Sequence, residues 1–210
     1  MFIRSRFLPL ATALLAASSL AHANLLVNGD FEASTSQTAT PPGWTNVGHS
    51  DGVISYGQFG TPAYDGQEMY DLGGFGDAYG PIGDGIAQSF ATTAGATYVV
   101  QFGLSSENGS LDETLNVSAG NAAHDYLLSV DSSGPFEKPF ATQTFTFVAT
   151  GASTTLSFIH TLGGDGNNDP LIDGVSVTAV PEPASLALLL AGLGLVGVSR
   201  KRTSRVLAAK

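Results

Sequence analysis

The chain has 210 residues and a formal net charge of −10, and it contains no cysteine. Lys138 is the single Lys or Arg between residues 24 and 179, against seventeen Asp and Glu, so the body lacks the cation cluster that nucleic-acid binding requires. The missing cysteines exclude disulfides and thiol chemistry, and the abundance of acidic oxygens makes calcium the metal to expect first.

The first 23 residues have the layout of a secretory signal peptide. Arg4 and Arg6 precede an apolar run over residues 7–20, and Ala-His-Ala at residues 21–23 fits the small-x-small pattern of a signal-peptidase site. The run is short for a membrane span, and no basic stop follows it. We therefore expect an exported protein whose mature chain begins at Asn24.

Residues 24–179 show the pattern of a single β domain. Short apolar and β-branched runs recur between Gly, Asn, Asp and Pro, and no segment shows helix caps with an apolar period of 3.6. The predicted strands are Leu25–Val27, Val53–Tyr56, Glu68–Leu72, Gly85–Thr92, Thr97–Ser105, Thr114–Ala119, Tyr126–Val130, Thr142–Ala149, Thr154–His160 and Leu171–Ala179. Many short alternating strands predict two antiparallel sheets packed face to face, an all-β sandwich or jelly roll.

Aromatic residues in loop-like sequence are the candidate carbohydrate-binding residues. Long loops on a rigid sandwich often carry binding sites, and aromatic rings can stack on the C–H faces of sugars. The residues that fit this description are Tyr64, Phe75 and Tyr79. Trp44, the only tryptophan, follows a Pro-Pro-Gly turn and is expected in the core instead.

The last predicted strand places a carboxylate among apolar residues. Asp173 is in phase with Leu171, Val175 and Val177, so a period of two points it toward the core. There it needs a cation, several hydrogen-bond donors or a frayed strand end in water. A calcium ion shared with Glu32 would satisfy it, and so would a turn at the solvent edge; the residues leave both open.

Catalytic motifs are absent from the sequence. Neither G-x-S-x-G nor H-E-x-x-H occurs. His160 follows Leu156 and Phe158 on one predicted strand face and is expected to be a core histidine. We therefore expect a protein that is not an enzyme.

Several segments of the body carry a family resemblance. "NLLVNGDFE" at residues 24–32, "DGQEMYDLGG" at 65–74 and "LIDGVSV" at 171–177 occur in an order that resembles the choice-of-anchor C family of bacterial exported proteins. That family is related to a domain of unknown function in plant cell-wall proteins and is similar to galactose-binding-type jelly rolls. The resemblance implies an extracellular β-sandwich, polysaccharide binding, and a structural calcium joining Glu32 to Asp173.

The C-terminal segment, residues 180–210, resembles a sorting signal. Pro181, Glu182 and Pro183 precede an uncharged run over residues 184–199, which as a helix covers about 24 Å against a hydrocarbon core of about 30 Å. The basic residues that follow are Arg200, Lys201, Arg202, Arg205 and Lys210. This order is similar to the PEP-CTERM signal of Gram-negative bacteria that make exopolysaccharide.

The resemblance implies a passage through the inner membrane. It predicts that the apolar run forms a transmembrane helix and that exosortase cleaves near Pro181-Glu182-Pro183. The protein would then reach the cell surface or the extracellular matrix. A plain single-span anchor is the alternative, and it differs only in keeping the tail.

These observations lead to one main functional hypothesis. The sequence predicts an exported, non-enzymatic surface or matrix protein whose sandwich associates with extracellular polysaccharide. A structural matrix protein without a specific ligand is the first alternative, and a glycan-active hydrolase is the less favoured one.

Overall fold

The computed structural model describes residues 23–34, 40–48, 52–55, 62–73, 82–106, 112–129, 139–163 and 169–181. These residues form ten strands and no helix. The strands are β1 (Thr45–Val47), β2 (Val53–Ser55), β3 (Glu68–Asp71), β4 (Gly85–Ala91), β5 (Thr97–Ser106), β6 (Glu113–Ala119), β7 (Ala122–Leu128), β8 (Ala141–Val148), β9 (Ser153–Leu162) and β10 (Pro170–Ala179).

The strands form two antiparallel sheets of five strands each. The first sheet has the order β1-β4-β9-β6-β7, and the second has the order β2-β3-β10-β5-β8. Side chains alternate along each strand, so one face of each sheet lies inward and the other outward. The predicted all-β sandwich is confirmed.

Aromatic rings fill the space between the sheets. Phe102 of β5 meets Phe158 of β9 edge to face, with ring centroids 5.1 Å apart. Trp44 is 6% exposed, and its Nε1–H donates to the carbonyl of Asn28 at 2.9 Å. His160 is fully buried. The expectations that Trp44 and His160 belong to the core are confirmed.

The N-terminal segment over Leu25–Val27 is not a strand, although its apolar pattern predicts one. Side chains supply part of its hydrogen bonding. The Leu26 amide donates to Asn24 Oδ1, and the Gln88 amide group pairs with both the N–H and the carbonyl of Val27 at 2.7 and 2.9 Å. Because Gln88 takes the place of a neighbouring strand here, the backbone is satisfied without a sheet ladder.

A bulge in β10 changes the phase on which the Asp173 prediction depends. The register of β10 on β5 shifts between Asp173 and Ser176, and Gly174 has a φ of 58°. Ile172 and Val177 lie opposite the inward residues Leu104 and Val100, whereas Asp173 lies opposite Gly103 on the outer face. Asp173 is nevertheless fully buried, because another segment covers it from outside.

The two ends of the sandwich differ in their connections. The loop end carries the connections β1–β2, β3–β4, β5–β6, β7–β8 and β9–β10. The terminal end carries the tips at residues 91–98, 119–123 and 148–155, together with the end of β10. The N-terminal segment runs beside β10, since Leu25 N–H donates to the Val177 carbonyl at 3.0 Å. Both chain termini therefore leave at the terminal end.

Candidate functional site

A polar cleft of about 630 Å³ opens where the N-terminal segment crosses the bulge of β10. Its functional side chains are three amides, two acids and one aromatic ring: Asn24, Asn28, Gln101, Asp30, Asp65 and Tyr64. Leu26, Gly29 and residues 174–176 complete the wall. The cleft therefore combines hydrogen-bonding groups with an aromatic surface.

Tyr64 reaches this cleft because two glycines make room for its ring. A Cβ on Gly103 would lie 2.5 Å from Tyr64 Cγ, and a Cβ on Gly174 would lie 2.7 Å from Tyr64 Cδ1. The ring thus lies against the backbone of β5 and β10, and its hydroxyl is 2.7 Å from Thr142 Oγ1. Tyr64 is half-buried, with part of its surface left for a ligand.

Asp173 lies beneath the segment that carries Tyr64. Its Oδ2 accepts the Asp65 N–H at 2.8 Å and its Oδ1 accepts the Gly174 N–H at 2.6 Å. Burial raises the pKa of this carboxyl to about 7, and the backbone N–H groups of Asp65, Gly174 and Tyr64 act in the opposite direction. Backbone donors therefore pair a carboxylate that is cut off from water, so it is not a turn residue at the solvent edge.

Glu32 contacts the same segment further along the chain. Its Oε1 accepts the N–H groups of Gln67 and Glu68, the latter at 2.7 Å. Gly66 has a φ of 69°, which favours glycine, and a Cβ at that position would also lie 2.2 Å from Glu32 Oε1. The two predicted metal ligands thus hold residues 64–68 together, Asp173 at the start of the segment and Glu32 at its end.

Backbone N–H groups already donate to both carboxylates that are predicted to bind calcium, and this limits how many ligand positions the two residues can supply. Each carboxylate oxygen has a second lone pair, and calcium also accepts backbone carbonyls and water as ligands. Within the described ranges, no group of three His, Cys, Asp or Glu side chains is arranged to hold a metal. Calcium at Glu32 and Asp173 would therefore depend on backbone and water oxygens for the rest of its shell.

Two further buried carboxylates lie near one another at the loop end, and no sequence motif marks them. Asp71 is 4% exposed, and its Oδ1 accepts the Gly73 N–H at 2.9 Å. Asp169 is 7% exposed and lies against Gly73, where a Cβ would meet its carboxyl carbon at 1.8 Å. Burial raises the pKa of Asp169 to about 6. One sequence feature could have pointed to this pair: Gly73 follows Asp71 by two residues, and only a glycine leaves room for the Asp169 carboxyl group there.

Other predicted residues lie outside the described ranges. Phe75 and Tyr79 belong to residues 74–81, and Glu182 and Pro183 follow the last described residue, Pro181. The signal peptide and the apolar run over 184–199 are outside as well. In the part of the chain that is described, no helix is long and apolar enough to cross a membrane.

The outer face of the first sheet is chemically different from the cleft. It carries hydroxyl pairs between neighbouring strands, Ser89 with Thr155 and Ser118 with Ser157, each at 2.8 Å. Among the described residues of β4, β6 and β9, no aromatic ring lies on this face. Aromatic stacking on a ligand is therefore available at the cleft rather than here.

The fold and the cleft define an antiparallel β-sandwich with a polar, ring-bearing groove on one sheet. The family described as "Protein of unknown function (DUF642)" matches residues 24–178, and the chain belongs to this family. The PEP-CTERM protein-sorting motif matches residues 179–202, which confirms that part of the sequence interpretation and implies export, exosortase processing and sorting to the cell surface. The choice-of-anchor C name is not confirmed. No curated protein matches the chain.

Solved structures with a similar fold include carbohydrate-binding modules and a glycosidase. TmCBM61, solved with beta-1,4-galactotriose, has 17% identity and a TM-score of 0.49, with 75% of this chain and 99% of that one covered. The CBM22-1 xylan-binding domain of Paenibacillus barcinonensis Xyn10C has 18% identity and a TM-score of 0.45, covering 78% and 98%. The arabinose-bound α-L-arabinofuranosidase MgGH51 has 13% identity and a TM-score of 0.50, covering 75% of this chain but 26% of that one. Only the last of these reaches a TM-score of 0.50, and at 13% identity its similarity to this chain concerns the fold alone.

Proposed function

We propose that this protein is a non-enzymatic surface protein whose sandwich binds extracellular polysaccharide in the cleft beside Tyr64. The cleft carries the proposal, because it pairs a partly exposed aromatic ring with the exposed amide of Gln101. The amides of Asn24 and Asn28 also line the cleft, and each already bonds to backbone groups. A sugar presents both an apolar C–H face and a ring of hydroxyls, so it can use the aromatic surface and the amides together.

The charge of the cleft narrows the class of polysaccharide. Asp30 and Asp65 line it, and no Lys or Arg lies among its lining residues. Carboxylates accept hydrogen bonds from sugar hydroxyls, whereas they repel uronic acids and sulfated sugars. The proposed ligand is therefore a neutral polysaccharide.

A glycan array tests the proposal directly. We expect saturable binding to one class of neutral glycan, a large loss of binding for Tyr64→Ala, and partial retention for Tyr64→Phe, which keeps the ring and loses the hydroxyl near Thr142. Gln101→Ala should weaken binding, while Asn116→Ala on the outer face of the first sheet is the matched control. Binding that survives Tyr64→Ala unchanged would exclude this cleft.

The same array separates the alternatives. No binding across a broad set of glycans would favour a structural matrix protein without a specific ligand. Release of shorter sugars from a bound glycan would instead favour a hydrolase.

We propose in addition that calcium stabilises the segment over residues 64–68 through Glu32 and Asp173. Both carboxylates already contact this segment, and the cleft wall includes Tyr64 and Asp65 from it. Calcium would offset the charge of a fully buried carboxylate in a body with almost no cations.

The third proposal concerns delivery. A signal peptide ending at residue 23 would start export, residues 184–199 would hold the precursor in the inner membrane, and exosortase would cleave near Pro181-Glu182-Pro183. The match to the sorting motif over residues 179–202 supports this order of events.

A further inference from the structure

The terminal end of the sandwich is uncharged, although the body as a whole is strongly acidic. Its tips at residues 91–98, 119–123 and 148–155 contain only Ala, Gly, Ser, Thr, Asn, Val and Tyr. Several of these side chains are exposed, including Thr93, Ala94, Thr150 and Ala152. Five acids lie instead at the loop end, within or next to the strand ends there: Asp71, Asp84, Asp112, Glu113 and Asp169.

The chain leaves the domain at this uncharged end with almost no spacer. β10 ends at Ala179, and the Val180 N–H still donates to the Thr97 carbonyl at 2.8 Å. The Pro-Glu-Pro triplet of the sorting motif begins at the next residue, Pro181, and the proposed membrane span begins at Ala184. The four Cα–Cα steps from Val180 to Ala184 span at most about 14 Å when fully extended. While the tail is embedded, the domain cannot move further than this from the membrane surface.

That distance is less than twice the range of electrostatic repulsion from anionic lipids. The Debye length is about 8 Å at physiological ionic strength. The electrostatic free energy between one side-chain charge and an anionic lipid surface is about 1 kcal/mol, and for an acidic side chain it is unfavourable. Asp125, the acid nearest to the β6–β7 tip, lies three residues from Ala122, or about 10 Å along β7. Apart from Glu182 of the sorting motif, which follows Val180 by two residues, the terminal end is therefore the part of this acidic domain that can approach the membrane without a large penalty.

We propose that the terminal end is a docking surface for the outer leaflet of the cytoplasmic membrane. The inference rests on the proposed membrane-held stage of delivery. It orients the precursor with the three uncharged tips against the lipid headgroups and the acidic loop end pointing away. The tips carry small polar side chains and no large apolar cluster, so they touch the headgroups without inserting deeply.

Fluorescence quenching in vesicles tests this orientation. The chain has no cysteine, so Thr93→Cys, Thr150→Cys and Thr161→Cys each provide one labelling site on the otherwise natural precursor with its tail. Thr93 and Thr150 are exposed at the terminal end, and Thr161 is exposed near the loop end as a matched control. In vesicles of phosphatidylethanolamine and phosphatidylglycerol, lipids spin-labelled on the headgroup should quench labels at 93 and 150 several-fold more than the label at 161.

Added charge provides a second readout. With the label at Thr93, the double variant Thr150→Glu and Ala152→Glu should lose most of the quenching in anionic vesicles and regain it at high salt. The control variant Thr161→Glu, at the exposed position near the loop end, should leave the quenching unchanged.

Three results would overturn the proposal. Equal quenching at 93, 150 and 161 would mean that the domain rotates freely on its tether. Protection of the label at 93 that depends on protein density rather than on lipid would indicate a second copy of the chain. A precursor that does not sediment with the vesicles would refute the membrane-held stage itself, and this is recognised before any quenching is measured.

Discussion

Two buried carboxylates, Asp169 and Asp173, set the electrostatic character of the domain at the scale of single residues. Neither has a Lys or Arg nearby among the described residues, and burial raises the pKa of both, to about 6 and about 7. A buried charge without a cation is costly even when backbone amides donate to it. The native state therefore holds these protons more tightly than the unfolded chain does.

This difference predicts that the calcium-free protein is more stable in mild acid. An unfolded aspartate has a pKa of about 3.9, so as the pH falls through about 7 and then 6 the native state takes up protons that the unfolded state does not bind. We expect the melting temperature in EDTA to rise between pH 8 and pH 5. Asp169→Asn should stabilise the protein at pH 8 by roughly 1–3 kcal/mol and flatten the profile, whereas the exposed Asp125→Asn should do neither. A profile that falls steadily from pH 8 to pH 5 would contradict the burial argument.

The calcium proposal makes a separate residue-scale prediction. At pH 8, chelation should lower the melting temperature, and Asp173→Ala or Glu32→Ala should remove most of the response to calcium. Asp125→Ala is the control. An identical melting curve with and without EDTA would count against a structural calcium.

At the scale of elements, the bulge in β10 and the segment over residues 64–68 depend on each other. The bulge turns Asp173 outward, and the segment then covers it and places Tyr64 on Gly103 and Gly174. Glu32 fixes the other end of the segment through the amides of Gln67 and Glu68. The ring at the edge of the cleft is thus positioned by backbone contacts from three parts of the chain.

Adding one methyl group under Tyr64 tests this arrangement. In Gly103→Ala the new Cβ would lie 2.5 Å from Tyr64 Cγ, so the ring must move. We expect a loss of about 1–3 kcal/mol in unfolding free energy and a matching loss of glycan binding. Gly151→Ala is the control, because its Cβ would meet only the Ser153 carbonyl, at 3.8 Å. Denaturant unfolding and the glycan assay read the two effects; unchanged binding by a folded Gly103→Ala variant would mean that the ring is not used.

At the scale of the whole molecule, the chain termini leave at one end of the sandwich and a group of acids lies at the other. The N-terminal segment and β10 both run to the terminal end, while the acids at the strand ends gather at the loop end. Because Pro181 follows the last backbone hydrogen bond directly, the proposed cleavage region begins where the folded domain ends.

Processing at both ends predicts the mass of the secreted protein. Protein recovered from the surface of a strain that makes exosortase should begin at Asn24 and end within the Pro181-Glu182-Pro183 region. A strain without exosortase should retain the tail through Lys210. Intact-mass measurement distinguishes the two, and a tail retained in both strains would favour a plain anchor.

The sequence alone determined the fold class, most of the strand positions and the sorting tail. These properties are local, because alternation with a period of two marks strands and the order of Pro-Glu-Pro, apolar run and basic end marks the tail. β1 was missed because its sequence, Thr-Asn-Val, contains a single apolar residue and so carries no apolar pattern. The sequence also indicated that Asp173 is buried, but the reason was wrong. The prediction assumed that Asp173 points the same way as Val175 and Val177, and the bulge in β10 interrupts that alternation.

Only the tertiary structure decided which residues meet. Period two says which face a side chain takes within one strand, but it does not reveal a bulge, a glutamine that substitutes for a strand, or a glycine that admits a ring from a distant segment. The residues that meet are far apart in the chain, so no short stretch of sequence predicts their contact. Examples are Gln88 with Val27, Tyr64 with Gly103, and Asp169 with Gly73. The cleft and the uncharged end depend on such contacts, which exist only once the two sheets have closed on their common core.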